Sequence, residues 1–358
     1  MESMKEYLKV DAGLRNHIND LRCRYRKLYE TPENCQPMII MNTPVELPCW
    51  EERLADPMVM LRAELDSLRP HFEIGDDRVP SVRVQFGTAQ PAAAYGCDIY
   101  IPPNSLPAAA SHVLKRIEDA YDLKVPDTNA GWYGKLHEWT DMWLEVLPEG
   151  IELQHPDIQS TFNTAHLVRG NDIFMDFYDN PEALDALLAN VTEFMTKITR
   201  LLKSKISSDT EYFYDWGCMW AGTARISNCT MQLLAPEFYI DHVMNHDKIF
   251  FNEIGGGRVH YCGNSRKMVQ TFFTLENISG YDVIVPYEAD PLDVCNEIPA
   301  TKVPWIRIGN RDSKTCQDLL TGKLPQKRNI ILQADAPDVE SGKALLNDLR
   351  LAFLKSYR

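Results

Sequence analysis

The chain has 358 residues, 44% hydrophobic and 25% charged, which suits a soluble globular protein with a full core, either one large barrel or two ordinary domains. Its net charge of −14 offers nothing to neutralise a run of phosphates, so broad nucleic-acid binding is excluded, while an anionic small molecule in a local arginine pocket is not. No stretch reaches the roughly 18 apolar residues of a membrane helix, and the start, MESMKEYLKVDAGLRNHINDLRCRYRKLYE, lacks an apolar signal core, so no membrane and a cytoplasmic location are expected.

The nine cysteines are irregularly spaced and include no CxxC pair, which argues against a disulfide framework. The sequons at Asn190, Asn228 and Asn277 read as chance in a chain without a secretion signal.

In chain order, residues 1–36 read as helical, an outer cap with apolar and basic residues interleaved. A Pro-rich stretch, QPMIIMNTPVELPCW, leads to a helix around PMVMLRAELDSLRP. SVRVQF alternates polar and apolar residues and ends at Gly87, as a strand does. GTAQPAAAYGCDIYIPPNSLP reads as a loop, residues 107–122 as a helix, KLHEWTDMWLEVL as another, and GIELQH as a short strand. IQSTFNTAHLVRG holds a short helix. The clearest helix follows in DNPEALDALLANVTEFMTKITRLLKSKI, with Asp179 or Asn180 as its cap, Pro181 at its first position and leucines at three- and four-residue spacing.

TEYFYDW predicts a strand, GCMWAGT a loop and ARISN a short strand. APEFYIDHVMNHDKIFFNEI predicts a helix stopped by three glycines. RVHYCG, YDVIVPY, VPWIRIG and NIILQAD predict strands, separated by helices over SRKMVQTFFTLENISG, PLDVCNEI and CQDLLTGKL, and DVESGKALLNDLRLAFLKS closes the chain as a helix. Such alternation implies a parallel sheet. GxGxxG and the P-loop are both missing, which together with the even spacing favours an α/β fold of the (β/α)8 TIM barrel type over an open doubly wound sheet. Residues 1–78 are then an N-terminal helical extension and cap, and residues 79–358 the barrel; an oligomer is compatible with the sequence.

The run GGGRVHYCGN places His260 and Cys262 two residues apart at a strand end, so both face one side, with Gly263 closing the strand. An imidazole and a thiolate at the carboxyl end of a barrel strand supply two of the three protein ligands of a catalytic zinc. The candidates for the third are Cys229, which ends ARISNC, Asp335, which ends NIILQAD, and Cys218; Cys295 and Cys316 fall in predicted helices and suit the role less well.

Two further segments carry polar residues toward the same mouth. HPDIQSTFNTAH offers His155, Asp157, Gln159, Asn163 and His166 for hydrogen bonding to a small-molecule substrate, or Asp157 or Ser160 as a helix cap. EYFYDWGCMWAGTARISN offers Tyr214, Asp215, Trp216 and Arg225: aromatics beside an aspartate suit a planar ligand or a packed lid, and the arginine suits a carboxylate.

RVHYCGN, preceded by APEFYIDHVMNHDKIFFNEIGGG, resembles the uroporphyrinogen decarboxylase superfamily, including its corrinoid-dependent methyltransferase branch. DIQSTFNTAHLVRGNDIFMDFYDNPEALDALLANVTEF is a second similar segment, and the resemblance runs from about residue 80 to the C-terminus. It implies a (β/α)8 barrel. The methyltransferase branch implies His260 and Cys262 as zinc ligands, a third cysteine near the last strand, and a thiolate that accepts a methyl group from a corrinoid on a partner protein. Here the last strand reads ILQADAP, with Gln333 and Asp335 where that cysteine is expected. The N-terminal arginine stretch of true uroporphyrinogen decarboxylases is absent. The resemblance therefore favours zinc-assisted methyl transfer. The alternatives are a metal-free decarboxylase-like enzyme on an acidic substrate, with Asp215, Tyr214 and Arg225 as its catalytic set, and a non-catalytic ligand- or corrinoid-binding barrel.

Overall fold

The computed structural model describes residues 4–31, 37–263, 265–283, 290–325 and 327–356. Asn264 of the RVHYCGN run, the end of the strand predicted over 281–287, and residues 1–3 and 32–36 of the predicted helical start lie outside the described residues.

Helix α1 (Ala12–Glu30) is capped by Asp11, which accepts the Leu14 N–H at 2.8 Å. Strand β1 (Met38–Asn42) follows, in the stretch read from sequence as Pro-rich extension. Helix α2 (Pro57–Asp66) has Asp56 as its cap and a proline at its first turn. The short strand β2 (Ser81–Val82) pairs in parallel with β3 (Glu152–Leu153), on either side of helix α3 (Tyr133–Val146). Helix α4 (Thr161–Arg169) is capped by Ser160. Helix α5 (Pro181–Ile206) is capped by Asn180, which accepts the Ala183 N–H. It buries Leu184, Leu187, Leu188, Val191, Met195, Ile198 and Leu202 along one stripe, each such side chain contributing about 1.5–3 kcal/mol.

Strands β4 (Tyr212–Asp215) and β5 (Cys218–Ala221) form an antiparallel hairpin where a strand and a loop are expected from sequence. Its two-residue turn puts Trp216 and Gly217 at φ +50° and +70°, the left-handed pair that matches strand twist but is rare for an indole-bearing residue. The chain then continues through β6 (Ala224–Ser227), α6 (Met244–Ile254), β7 (Gly257–Tyr261), α7 (Arg266–Phe272), β8 (Ile278–Val283), α8 (Pro291–Glu297), β9 (Val303–Gly309), α9 (Lys314–Leu320), β10 (Ile331–Asp335) and α10 (Val339–Ser356). Gly255, at φ +83°, ends α6. The helix predicted over 265–280 stops at Phe272, and of the helix predicted over 107–122 only Ile117–Asp122 is helical, as a 3-10 turn.

Six strands make one parallel sheet in the order β1-β10-β9-β8-β7-β6. Strand β1 therefore belongs to the sheet, paired in register with β10 from Met38↔Ile331 to Asn42↔Asp335, and the segment before residue 79 is more than a helical cap. Around the rest of the fold, Gln159 bridges Ser227 in parallel, β3 pairs with β2, and the Asp77 N–H donates to Ile39 O at 2.9 Å.

The two faces of the six-stranded sheet differ. Ile39, Met41, Val259, Tyr281, Ile306, Ile308, Leu332 and Ala334 pack into one large apolar core with the helices. Met38, Ile40, Val303, Trp305 and Ile331 pack on the other face, against the β4–β5 hairpin and Leu21, Tyr25 and Leu28 of α1. Gly280 lets the hairpin approach: an added Cβ there would lie 2.3 Å from the Trp220 ring. Toward the strand ends this second face becomes polar, and the candidate site lies there. Among the described residues, no helix is long and apolar enough to cross a membrane.

Candidate metal centre

Strand alternation puts Arg258 and His260 of β7 on the hairpin face, while Val259 and Tyr261 enter the main core. Cys262 follows β7 and is exposed; Cys229 follows β6, the neighbouring strand, and is half-buried. The sulfurs of Cys229 and Cys262 and a ring nitrogen of His260 all lie within 4.8 Å of one another. Tetrahedral zinc, with bonds of about 2.0–2.3 Å, needs its ligand atoms roughly 3.5 Å apart or slightly more, so a small closing motion of these three suffices.

The imidazole is pre-oriented. Its Nδ1–H donates to Asp282 Oδ2 at 2.5 Å, which leaves Nε2 as the lone-pair nitrogen for a cation. Burial opposes charge on His260, but the Asp282 carboxylate outweighs it and raises the imidazole above its ordinary value. Burial likewise opposes ionisation of Asp282, yet His260 and Arg258 hold it down to about 2. Hydrogen bonding from Cys229, then from His260, lowers Cys262 to about 5, while the same contact and burial raise Cys229. One thiolate is thus available near neutrality beside a second thiol, a donor set of the kind that holds a soft or borderline divalent metal.

The turn carrying Cys229 is fixed from both sides. The Asn228 N–H donates to His260 O at 2.8 Å, and its side-chain amide donates to Asp247 at 3.0 Å. The Thr230 N–H donates to Asn163 Oδ1 at 3.0 Å, and the Asn163 amide in turn donates to Gln159 Oε1 at 2.7 Å. Gln159 and Asn163, expected to touch substrate, brace the turn that carries Cys229.

Below this group lies a layer of buried charge. Asp215 accepts hydrogen bonds from Arg83 and Arg258 and lies 3.3 Å from Arg225 Nε. Arg225 also pairs with Asp157, and Arg258 NH1 lies 3.2 Å from Asp282. Burial and then the charges of Arg258 and Arg83 push the Arg225 guanidinium well down, with Asp282 working the other way. Trp216 covers this layer, its ring 5.0 Å from Arg225 and 4.9 Å from Arg258, and its edge against His260 at a centroid distance of 5.1 Å.

The other expected site residues lie apart. Asp335 sits at the end of β10 with Arg307 at 3.1 Å and the Asn42 amide at 3.2 Å, away from the thiol–imidazole group. Cys218 is buried in the hairpin, pushed up to about 12 by burial, and Cys295 and Cys316 are buried in α8 and α9. Tyr214 alternates away from Asp215; burial, then Glu152, raises it to about 12. His166 bonds Asn171 at 2.9 Å and packs on Phe174, on the outer side of α4. Sequence reading missed Asp282 and Arg258 as members of the site, although strand parity alone puts Arg258 on the side of His260.

No family model matches the chain, and no curated protein does. Among solved structures, a methyltransferase from Methanosarcina mazei is similar, with a TM-score of 0.67 over 94% of this chain and 99% of that chain. The two are 14% identical, so the likeness is one of fold.

Proposed function

We propose that this chain is a metal-dependent methyltransferase on a (β/α)8 barrel of the uroporphyrinogen decarboxylase superfamily, taking a methyl group from a corrinoid on a partner protein and passing it to a thiol. The observation that carries the reading is the gathering of Cys229, His260 and Cys262 at adjacent strand ends, with Asp282 fixing the free nitrogen of the imidazole. The contacts from β6 through Gln159, β3 and β2 to Ile39 support the barrel, and the Methanosarcina mazei methyltransferase fold supports the reaction class.

Zinc held by these residues would lower the pKa of an incoming thiol while leaving its sulfur nucleophilic. The chain supplies the rest. Cys229, His260 and Cys262 would supply three donors to such a metal, leaving room for a substrate thiol, and the exposure of Cys262 gives solvent-borne reactants access to the group. Asp282 balances positive charge at His260, and Arg258 holds Asp282 ionised.

Protein purified without chelator is expected to carry one zinc per chain by elemental analysis. Cys229→Ser and His260→Ala should each lose it while keeping wild-type circular dichroism, and should lose methyl transfer from methylcobalamin to a thiol. Metal-free wild-type protein that also fails to take up added zinc would overturn the reading.

A further inference from the structure

Between β1 and β2 the fold has a seam, at which side chains take the place of a neighbouring strand. The N–H groups of Ile39 and Met41 donate to the carboxylates of Asp77 and Asp76, both at 2.7 Å. Across from them the Arg83 N–H donates to Glu64 of α2 at 3.1 Å, and the Gln85 N–H meets Met60 Sδ at 3.2 Å. Among the described residues, the one main-chain bond across the seam joins Asp77 to Ile39.

A cavity of about 230 Å³ opens here, walled by Glu64, Arg78, Arg83 and Gln154 and by the indoles of Trp216 and Trp305. Arg83 is already committed to Asp215 and Gln154. Arg78 is not. Its side chain crosses Gly217, where an added Cβ would lie 2.7 Å from Arg78 Cγ, and its Nε is buried without a hydrogen-bond partner. Among the described residues its guanidinium joins no ion pair, and the Trp305 Nε1–H is likewise buried and unanswered. A half-buried guanidinium has lost part of its hydration, and among the described residues no carboxylate lies within ion-pair distance of it, Glu64 acting on it only at longer range; a carboxylate is the planar partner that restores two parallel hydrogen bonds. Glu64 in the same wall opposes a second negative charge; Ser67, Gln85 and Gln333 complete a mostly polar lining, in which the two indoles offer the one aromatic face.

We propose that the seam cavity binds a small monocarboxylate, with its carboxylate on Arg78 and its body against the joined indoles of Trp216 and Trp305, whose ring centroids lie 5.3 Å apart. The bound molecule would lie one indole away from His260, since Trp216 touches both. The proposal does not depend on what the thiol–imidazole group holds.

Benzoate, benzamide and inorganic phosphate, titrated into the full chain and followed by indole fluorescence and calorimetry, provide the test. Benzoate is expected to bind with a Kd below about 1 mM, and benzamide at least tenfold more weakly. Phosphate should not displace benzoate. Arg78→Met should weaken benzoate at least tenfold with thermal unfolding unchanged, and Arg78→Lys should recover part of the loss. Cys229→Ser should bind benzoate as wild type does. Should Arg78→Met fail to fold, the benzoate–benzamide pair on wild-type protein decides alone. Absence of benzoate binding, equal binding of acid and amide, displacement by phosphate, or full affinity in folded Arg78→Met would each overturn the proposal.

Discussion

Two polar layers share the hairpin face of the sheet, one residue pair apart along β7. The lower layer, Arg83, Arg225 and Arg258 around Asp215 and Asp157, is largely buried and ion-paired within itself, with Asp282 as the third carboxylate for its three guanidiniums. The upper layer, Cys229, His260 and Cys262, has two sulfurs and a ring nitrogen within 4.8 Å of one another and one member open to solvent. Matched charge holds geometry; converging lone pairs invite a ligand. Asp215 is thus tied into the ion-pair layer, and the proposed metal chemistry lies two residues further along β7. Asp282 couples the layers, touching His260 above and Arg258 below.

The largest effect should come from breaking the lower layer. Asp215→Ala leaves three buried guanidiniums short of a carboxylate and is expected to cost about 3–5 kcal/mol in denaturant unfolding. A loss below about 1 kcal/mol would mean that the layer is not held by this residue.

Acid should loosen the flank of the same layer. His155 is buried with both ring nitrogens near carbonyls, of Pro156 at 3.0 Å and Thr199 at 3.3 Å, and burial lowers it to about 4, with Lys203 and Arg83 adding to the effect. Its folded value lies below its ordinary one, so its contribution is complete above about pH 6.5 and lost as pH falls through about 4. Wild-type protein should lose about 3 kcal/mol more than His155→Gln over that window, read from urea midpoints at several pH values. Parallel pH curves for the two proteins would remove this account.

Uncoupling the layers should cost less stability than Asp215→Ala, and should act on metal as well as on folding. Asp282→Asn keeps shape but weakens the hold on Nδ1, and zinc affinity measured by chelator competition should fall about 10–100-fold. Unchanged affinity would show that His260 needs no orienting partner. Smallest of all, Asn163→Ala frees the Thr230 N–H and should cost about 1 kcal/mol of stability. It should also slow zinc uptake; if uptake and stability both match wild type, the buttress on the Cys229 turn is dispensable.

The sequence by itself determined those features that depend on near neighbours in the chain. Asn180 and Pro181 start α5, glycine ends α6, and the two-residue period aligns Arg258 with His260, because caps and strand parity are local geometry. Local signals also misled: MIIMN lay among prolines yet became β1, since its partner β10 is nearly 300 residues away, and CMWA lay among glycines yet became β5. Only the tertiary structure brought Cys229, rather than Asp335 or Cys218, beside His260 and Cys262, by setting β6 beside β7 and pairing Asp335 with Arg307. It also placed Asp215 among three arginines and left the Arg78 guanidinium without an ion pair among the described residues. Strand order and charge pairing arise between distant segments, and no spacing along the chain encodes them.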